Sequence, residues 1–287
     1  MMNGNPLDFG IQLQEILAVK HGIKPLLRTV MKPEFVDGFE RFCANNNLLF
    51  MKKPFSELFG TSLDPPILMV YVSKSKEMID KGHQADKTFD RKLLGEVLGY
   101  PDCCVEFFLD NANAVYPAES FRKTIGKPSY YANNVMKMES RLNSERLKIY
   151  QQDIGFGTRT SNLFLISHVP CSYTCKKSME IGRNVLSLIE KESPEFAGKL
   201  VGTLKRPFLF FDDFNWMIFD GKIKNGTLTY ASILPPASML PESLIKKFRE
   251  GDAAKVGKKS IEIFKDGKIV HVIEKKHESD GILLDFS

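Results

Sequence analysis

Two stretches carry four of the five cysteines in the chain, and in each the thiols follow a proline: LGYPDCCVEFF (residues 98–108) and ISHVPCSYTCKKS (residues 166–178). Proline belongs in the first turn of a helix, where its missing N–H would have had no partner anyway. Gly99-Tyr100-Pro101 therefore ends one helix and opens another, with Cys103 and Cys104 in the new first turn. The second stretch allows two registers. If Pro170 starts a helix, Cys171 and Cys175 lie four apart on one face. If Ser172 is the cap, Cys175 takes the third helical position. In both registers the thiols sit at or near helix N-termini, where the dipole and the unpaired N–H groups favour negative charge. The thiolate is the form that binds metal or attacks a substrate.

The compartment decides how such thiols are read. The N-terminus lacks the basic start and apolar core of a signal peptide. The longest apolar run, PPILMVYV (residues 65–72), falls far short of the roughly 18 residues that cross a membrane. Both features point to the cytoplasm and to no membrane partner. Thiols stay reduced there, so clustered cysteines are metal ligands or catalytic groups rather than disulfides. A vicinal Cys103–Cys104 disulfide would also need a strained ring. With 40 basic and 35 acidic residues, the net charge of +5 tolerates a nucleic acid but does not demand one. An apolar content of 43% supplies a core without any staple.

Helical neighbours point about 100° apart, an awkward start for two ligands of one small ion. Zinc sites usually use spacings such as C-x2-C, whereas here the spacings are zero and three. Iron–sulfur clusters also need thiolates, commonly four, and vary more in spacing. Residue pattern alone thus ranks an iron–sulfur cluster on Cys103, Cys104, Cys171 and Cys175 ahead of zinc. In an enzymatic version, Cys104 is the thiol that does not ligate. One iron then stays open to a small anionic substrate near Arg159 and Lys176. Two alternatives stand beside this: a zinc-stabilised binding module, for RNA among other partners, and a thiol enzyme with Cys171 as nucleophile and His168 as base. A redox dithiol lacks its C-x-x-C.

His168 and Arg159 are the catalytic candidates. His168 can also ligate metal or bond to local backbone. Arg159 belongs to IGFGTRTSN (residues 154–162), a glycine-flanked loop without the complete phosphate-binding fingerprint. Structural roles are expected for Ser172 (a helix cap), Tyr173 (a packing aromatic), Ser178 and the lone Cys43 (a small core residue). Lys176-Lys177 either holds an anion or faces solvent. Glu106 is a second acceptor near the thiols or an exposed helix residue, and Asp212-Asp213 marks a turn.

The cores Leu98-Gly99-Tyr100-Pro101-x-Cys103-Cys104 and His168-x-Pro170-Cys171-Ser172-x-x-Cys175 resemble those of an uncharacterised prokaryotic family, domain of unknown function number 483. The likeness spans about residues 65–185, and is loose at the N-terminal stretch and the β-rich end. It implies that the four cysteines and His168 share one site; it brings no activity.

The rest of the chain predicts an α+β protein in three parts. Residues 1–85 form a small α/β segment, with helices over 11–20 and from Pro33, where Phe35, Phe39 and Phe42 recur near helical spacing. A buried strand at 67–72 precedes a short helix capped by Ser73 or Ser75. Residues 86–203 form a mainly helical cysteine-bearing part. Within it, LFLI (residues 163–166) is a short strand or the lead into a helix, and Ser193-Pro194 stops the helix after the second motif. Residues 204–287 form an antiparallel β-rich part with one helix at 241–251, and with hairpin turns at Asn225-Gly226 and Asp266-Gly267.

Overall fold

The computed structural model describes residues 4–60, 66–111, 116–135, 163–212, 215–234, 240–276 and 280–287. Among these residues the chain is α+β: ten α-helices, ten strands, two antiparallel sheets, and a β-rich C-terminal part. It divides into two compact units, each discontinuous in sequence. The first comprises Met1–Ala112, Leu165–Cys171 and Lys176–Gly198; the second comprises Asn113–Phe164, Ser172–Cys175 and Lys199–Ser287.

The first unit is built on three strands, β1 (Leu26–Met31), β2 (Leu49–Pro54) and β3 (Leu68–Ser73), in the order β1-β3-β2. The apolar run LMVYVS is the central strand, so both of its faces are covered. Successive side chains on a strand point to opposite faces. Val70 and Val72 accordingly join Leu27 and Met31 against α1 (Leu13–Lys20) and α2 (Pro33–Asn45), through Ile16, Val19, Phe39 and Phe42. Met69 and Tyr71 join Leu26 on the other face, against Ile79, Val97 and Leu98. Cys43 is fully buried in the first cluster, as expected of a small core residue. Burial, with the charge of Glu40 adding to it, pushes its thiol up to about 12. Phe39 and Phe42 are buried while Phe35, at the edge of the stripe, is exposed. On the second face the buried Asp86 accepts from Tyr71 Oη at 2.6 Å and Arg28 Nε at 2.7 Å.

From β3 the chain runs through α3's successor helices toward the cysteines; α3 itself (Phe55–Phe59) precedes β3. Ser75 caps α4 (Lys76–Thr88) by accepting from Met78 N–H, and Ser73 braces the entry by accepting from Ser75 N–H. Asp90 caps α5 (Arg91–Val97) in the same way, through Leu93 N–H. Gly95 lets α5 lie against α6 (Asp102–Asp110), because a Cβ there would come within 2.7 Å of Val105. At its end α5 forms a Schellman turn: Gly99 N–H donates to Glu96 C=O and Tyr100 N–H to Gly95 C=O. Gly99 adopts φ +73°, the left-handed conformation that this turn requires.

The second unit contains a seven-stranded sheet in the order β10-β4-β5-β6-β7-β8-β9. Its strands are β4 (Phe208–Asp212), β5 (Asn215–Lys224), β6 (Thr227–Ile233), β7 (Ala253–Val256), β8 (Ser260–Lys265), β9 (Lys268–Glu274) and β10 (Ile282–Leu284). Both predicted hairpin turns form, with positive φ at Asn225-Gly226 and at Asp266-Gly267. The remaining helices are α7 (Tyr116–Arg122), α8 (Lys176–Glu192), α9 (Pro194–Leu204) and α10 (Glu242–Arg249). Ile245 and Phe248 of α10 complete the core over Leu209, Met217, Phe219 and Ile263.

Candidate metal centre

The first cysteine motif folds as its sequence requires. Pro101 stands at the N-cap of α6, and its carbonyl accepts from Cys104 N–H at 2.8 Å. Cys103 and Cys104 are therefore the second and third helical residues. Their Sγ atoms lie 4.0 Å apart, because side-chain rotation brings together sulfurs whose Cα–Cβ bonds diverge.

The second motif takes neither of the two expected registers. Helix α8 begins at Lys176, so Cys171 and Cys175 precede it and Ser172 does not cap it. Residues 171–175 instead form a turn in which Cys175 N–H donates to Ser172 C=O at 3.1 Å. The hydroxyls of Ser172 and Thr174 bond to each other at 3.1 Å, which removes Ser172 from a capping role. Tyr173 is the packing aromatic expected, stacked on Phe121 with ring centres 4.6 Å apart. Upstream, Leu163–Ile166 is buried without forming a strand or helix.

The four thiols converge: Cys103, Cys104, Cys171 and Cys175 place their sulfurs all within 4.8 Å of one another. Three of them belong to the first unit, and Cys175 is peptide-bonded to its Lys176. Cys104 and Cys175 are buried; Cys103 and Cys171 are half-buried. Among the described residues, which include all five cysteines, no disulfide is formed. The tetrad can hold a metal ion.

Two groups approach the Cys104 sulfur closely. Cys171 N–H donates to it at 3.4 Å, and the Ser178 hydroxyl lies 3.3 Å away. Ser178, in the first turn of α8, is wholly buried and bonds to His168 Nε2 at 2.8 Å. The His168 ring rests against Tyr100, centre to centre 5.2 Å. Behind Tyr100 lies a buried ion pair, with Lys24 Nζ 2.6 Å from Glu15 Oε2 and 2.8 Å from Ser167 Oγ. Lys24, Glu15, Ser167, Tyr100 and His168 line a small pocket of about 10 Å³, together with the apolar Leu98 and Val185, with room for about one water.

Ser178, Lys24 and Glu15 were not singled out by their sequence context as parts of a site. Ser178 carried one signal: it lies three residues after Cys175, and i,i+3 side chains are neighbours at a helix start. Glu106 is exposed, as are Lys176 and Lys177, and Lys177 pairs with Asp102 at 3.6 Å. Arg159 and its glycine-flanked loop, and Asp213, lie outside the described residues; Asp212 closes β4. Among the described residues no helix is long and apolar enough to cross a membrane.

Fold and site together define an α+β protein with a cluster of four cysteines near the starts of two helices. Comparison of the chain with protein-family models, with curated proteins and with solved structures finds no match.

Proposed function

We propose that the tetrad holds a single tetrahedral zinc ion and that the centre is a structural clasp. The carrying observation is the closeness of the sulfurs, all within 4.8 Å with one pair at 4.0 Å. Zn–S bonds of about 2.3 Å in a tetrahedron set sulfurs about 3.8 Å apart. A polynuclear iron–sulfur cluster carries its thiolates on the outside of a cage and spreads them wider. That difference supports zinc over the cluster that residue spacing alone favoured. Four thiolates also close the coordination sphere, as structural sites do, and leave no position for substrate. The clasp would tie the start of α6 to the start of α8, with 66 residues between Cys104 and Cys171. The resemblance to domain of unknown function number 483 agrees with this reading, since its two cores are where the ligands stand.

Metal analysis of protein purified without oxygen tests it. One zinc per colourless chain is the expected result. Iron with acid-labile sulfide, and a brown colour, would put the cluster in its place.

A second reading is favoured by an open cleft of about 410 Å³ in the first unit, lined by His21, Tyr100, Lys177, Glu180 and Asn184. That volume suits a small molecule. Its basic wall groups are His21 and Lys177, the latter shared with Asp102 at 3.6 Å, and these would receive a small anion. Thermal-shift titration with inorganic phosphate tests this reading, with Lys177→Met as the control that should abolish the shift.

A further inference from the structure

We propose that His168 and Ser178 are positioning residues of the metal centre, forming a one-way hydrogen-bond chain from His168 Nε2–H to Ser178 Oγ and from Ser178 O–H to Cys104 Sγ. The inference rests on the four-thiolate reading and deepens it. A metal-bound cysteine is a thiolate, which can only accept. Ser178 Oγ lies 3.3 Å from Cys104 Sγ, so its hydroxyl donates there. A hydroxyl has one proton. Having given it to sulfur, Ser178 can only accept from His168 Nε2, 2.8 Å away. His168 Nε2 must then carry hydrogen, and metal loading fixes the tautomer of a ring ten residues from Ser178. In the metal-free thiol form Cys104 S–H can itself donate, and the direction is no longer imposed.

Three further observations support a built arrangement rather than a chance contact. Ser178 is wholly buried and His168 is 4% exposed, so water does not compete for either group. Tyr100, fixed by the Schellman turn at Gly99, packs on the His168 ring. Ser167, the preceding residue, is held by buried Lys24 at 2.8 Å. The chain adds a side-chain donor to the one that Cys171 N–H already gives to Cys104. Two donors at one sulfur spread its negative charge and hold its orientation toward the ion. Groups of this kind behind a metal ligand typically contribute 10- to 100-fold in metal affinity.

The test uses the full chain loaded with zinc, and separately with cobalt(II). Zinc affinity is measured by competition with a chromophoric chelator, and the cobalt–thiolate charge-transfer band by absorption. Ser178→Ala should weaken zinc binding by about 10- to 100-fold and shift the cobalt band. Ser178→Thr keeps the hydroxyl and should bind within a few-fold of wild type. His168→Gln keeps an N–H donor near the position of Nε2 and should also stay close. His168→Leu removes the donor and should resemble Ser178→Ala. Nitrogen chemical shifts of His168 should show hydrogen on Nε2 in the zinc-loaded protein. Unchanged affinity and an unmoved cobalt band in a folded Ser178→Ala variant would overturn the proposal. So would a zinc-loaded His168 with its proton on Nδ1 alone. A wild-type chain that takes up neither zinc nor cobalt overturns the four-thiolate reading itself, and the positioning roles with it.

Discussion

Replacing Lys24 by methionine should be among the most damaging changes in the first unit, although Lys24 touches no cysteine. Its side chain and that of Glu15 are each about 7% exposed, and the ammonium is the partner of the Glu15 carboxylate at 2.6 Å. A buried pair costs much to desolvate, so its net contribution to stability is small. Removing one member is different, because the other charge stays in the core without this partner. The expected loss for Lys24→Met is about 3–5 kcal/mol. Glu15→Leu alone should lose a similar amount, with the ammonium now stranded. The double variant Lys24→Met/Glu15→Leu buries two apolar side chains of similar volume and should return to within about 1–2 kcal/mol of wild type. Urea unfolding of all four proteins, each saturated with zinc, measures the cycle, with unchanged slope as the check on two-state behaviour. A second readout separates charge from support: in Lys24→Met and in the double variant Ser167 loses its bond to Lys24, and zinc affinity should fall even where stability recovers. If Lys24→Met costs under about 1 kcal/mol, water reaches the pair and the reasoning about a buried ion pair fails.

Other expectations follow from the same geometry. Each of Cys103→Ser, Cys104→Ser, Cys171→Ser and Cys175→Ser should lower zinc affinity by more than the roughly 100-fold expected at the outer groups, as measured by chelator competition. Stripping the metal should lower the unfolding temperature; zinc held at 1,000 times its dissociation constant adds about 4 kcal/mol, and calorimetry with and without chelator reads the difference. Gly99→Ala should cost at least about 1–2 kcal/mol for an alanine at positive φ, and its Cβ would sit 2.6 Å from Pro25 Cδ; unfolding midpoints check it. Cys43, raised to about 12 by burial, should stay unalkylated in the native metal-free chain at pH 8 while the half-buried Cys103 and Cys171 react. Its folded thiol is harder to ionise than its unfolded one, so its contribution is intact below about 8.5 and is lost as pH climbs toward about 12. Cys43→Ala should therefore flatten the alkaline arm of the stability curve.

What could be read from local pattern is what local physics dictates. The Gly-Tyr-Pro break, the Ser75 cap, the two Gly hairpins and the apolar central strand each have a cause within a few residues, and each stands where it was expected. Strands β1 (LLRTVM) and β2 (LFMKKP) gave no such signal: both are edge strands that mix apolar and charged residues without a clean alternation, and their pairing partner β3 comes later in the chain. β7 (AAKV) is a strand only because β6 and β8 flank it. The start of α8 illustrates the same limit at the site. Pro170 and Ser172 are both legitimate openers of a helix, yet the helix waits until Lys176.

The cysteine cluster gives a physical reason for that delay. A helix beginning at Ser172 would fix the directions of Cys171 and Cys175 by its own geometry, on one face and one turn apart. The turn at 171–175 frees Cys171 to lend its N–H to Cys104 while its own sulfur still reaches the tetrad. It also sets Ser178 in the first turn of α8, three residues beyond Cys175, where it meets Cys104 and His168 together. Neither helix propensity nor cysteine spacing contains that arrangement; it arises because four sulfurs and two buried donors must share one small volume. The same reasoning answers the objection that adjacent cysteines diverge by 100° around a helix axis. Divergence of Cα–Cβ bonds limits rigid groups, but a thiol one rotation beyond Cβ swings its sulfur over several ångströms, and at 4.0 Å Cys103 and Cys104 are close to the separation that one tetrahedral ion requires.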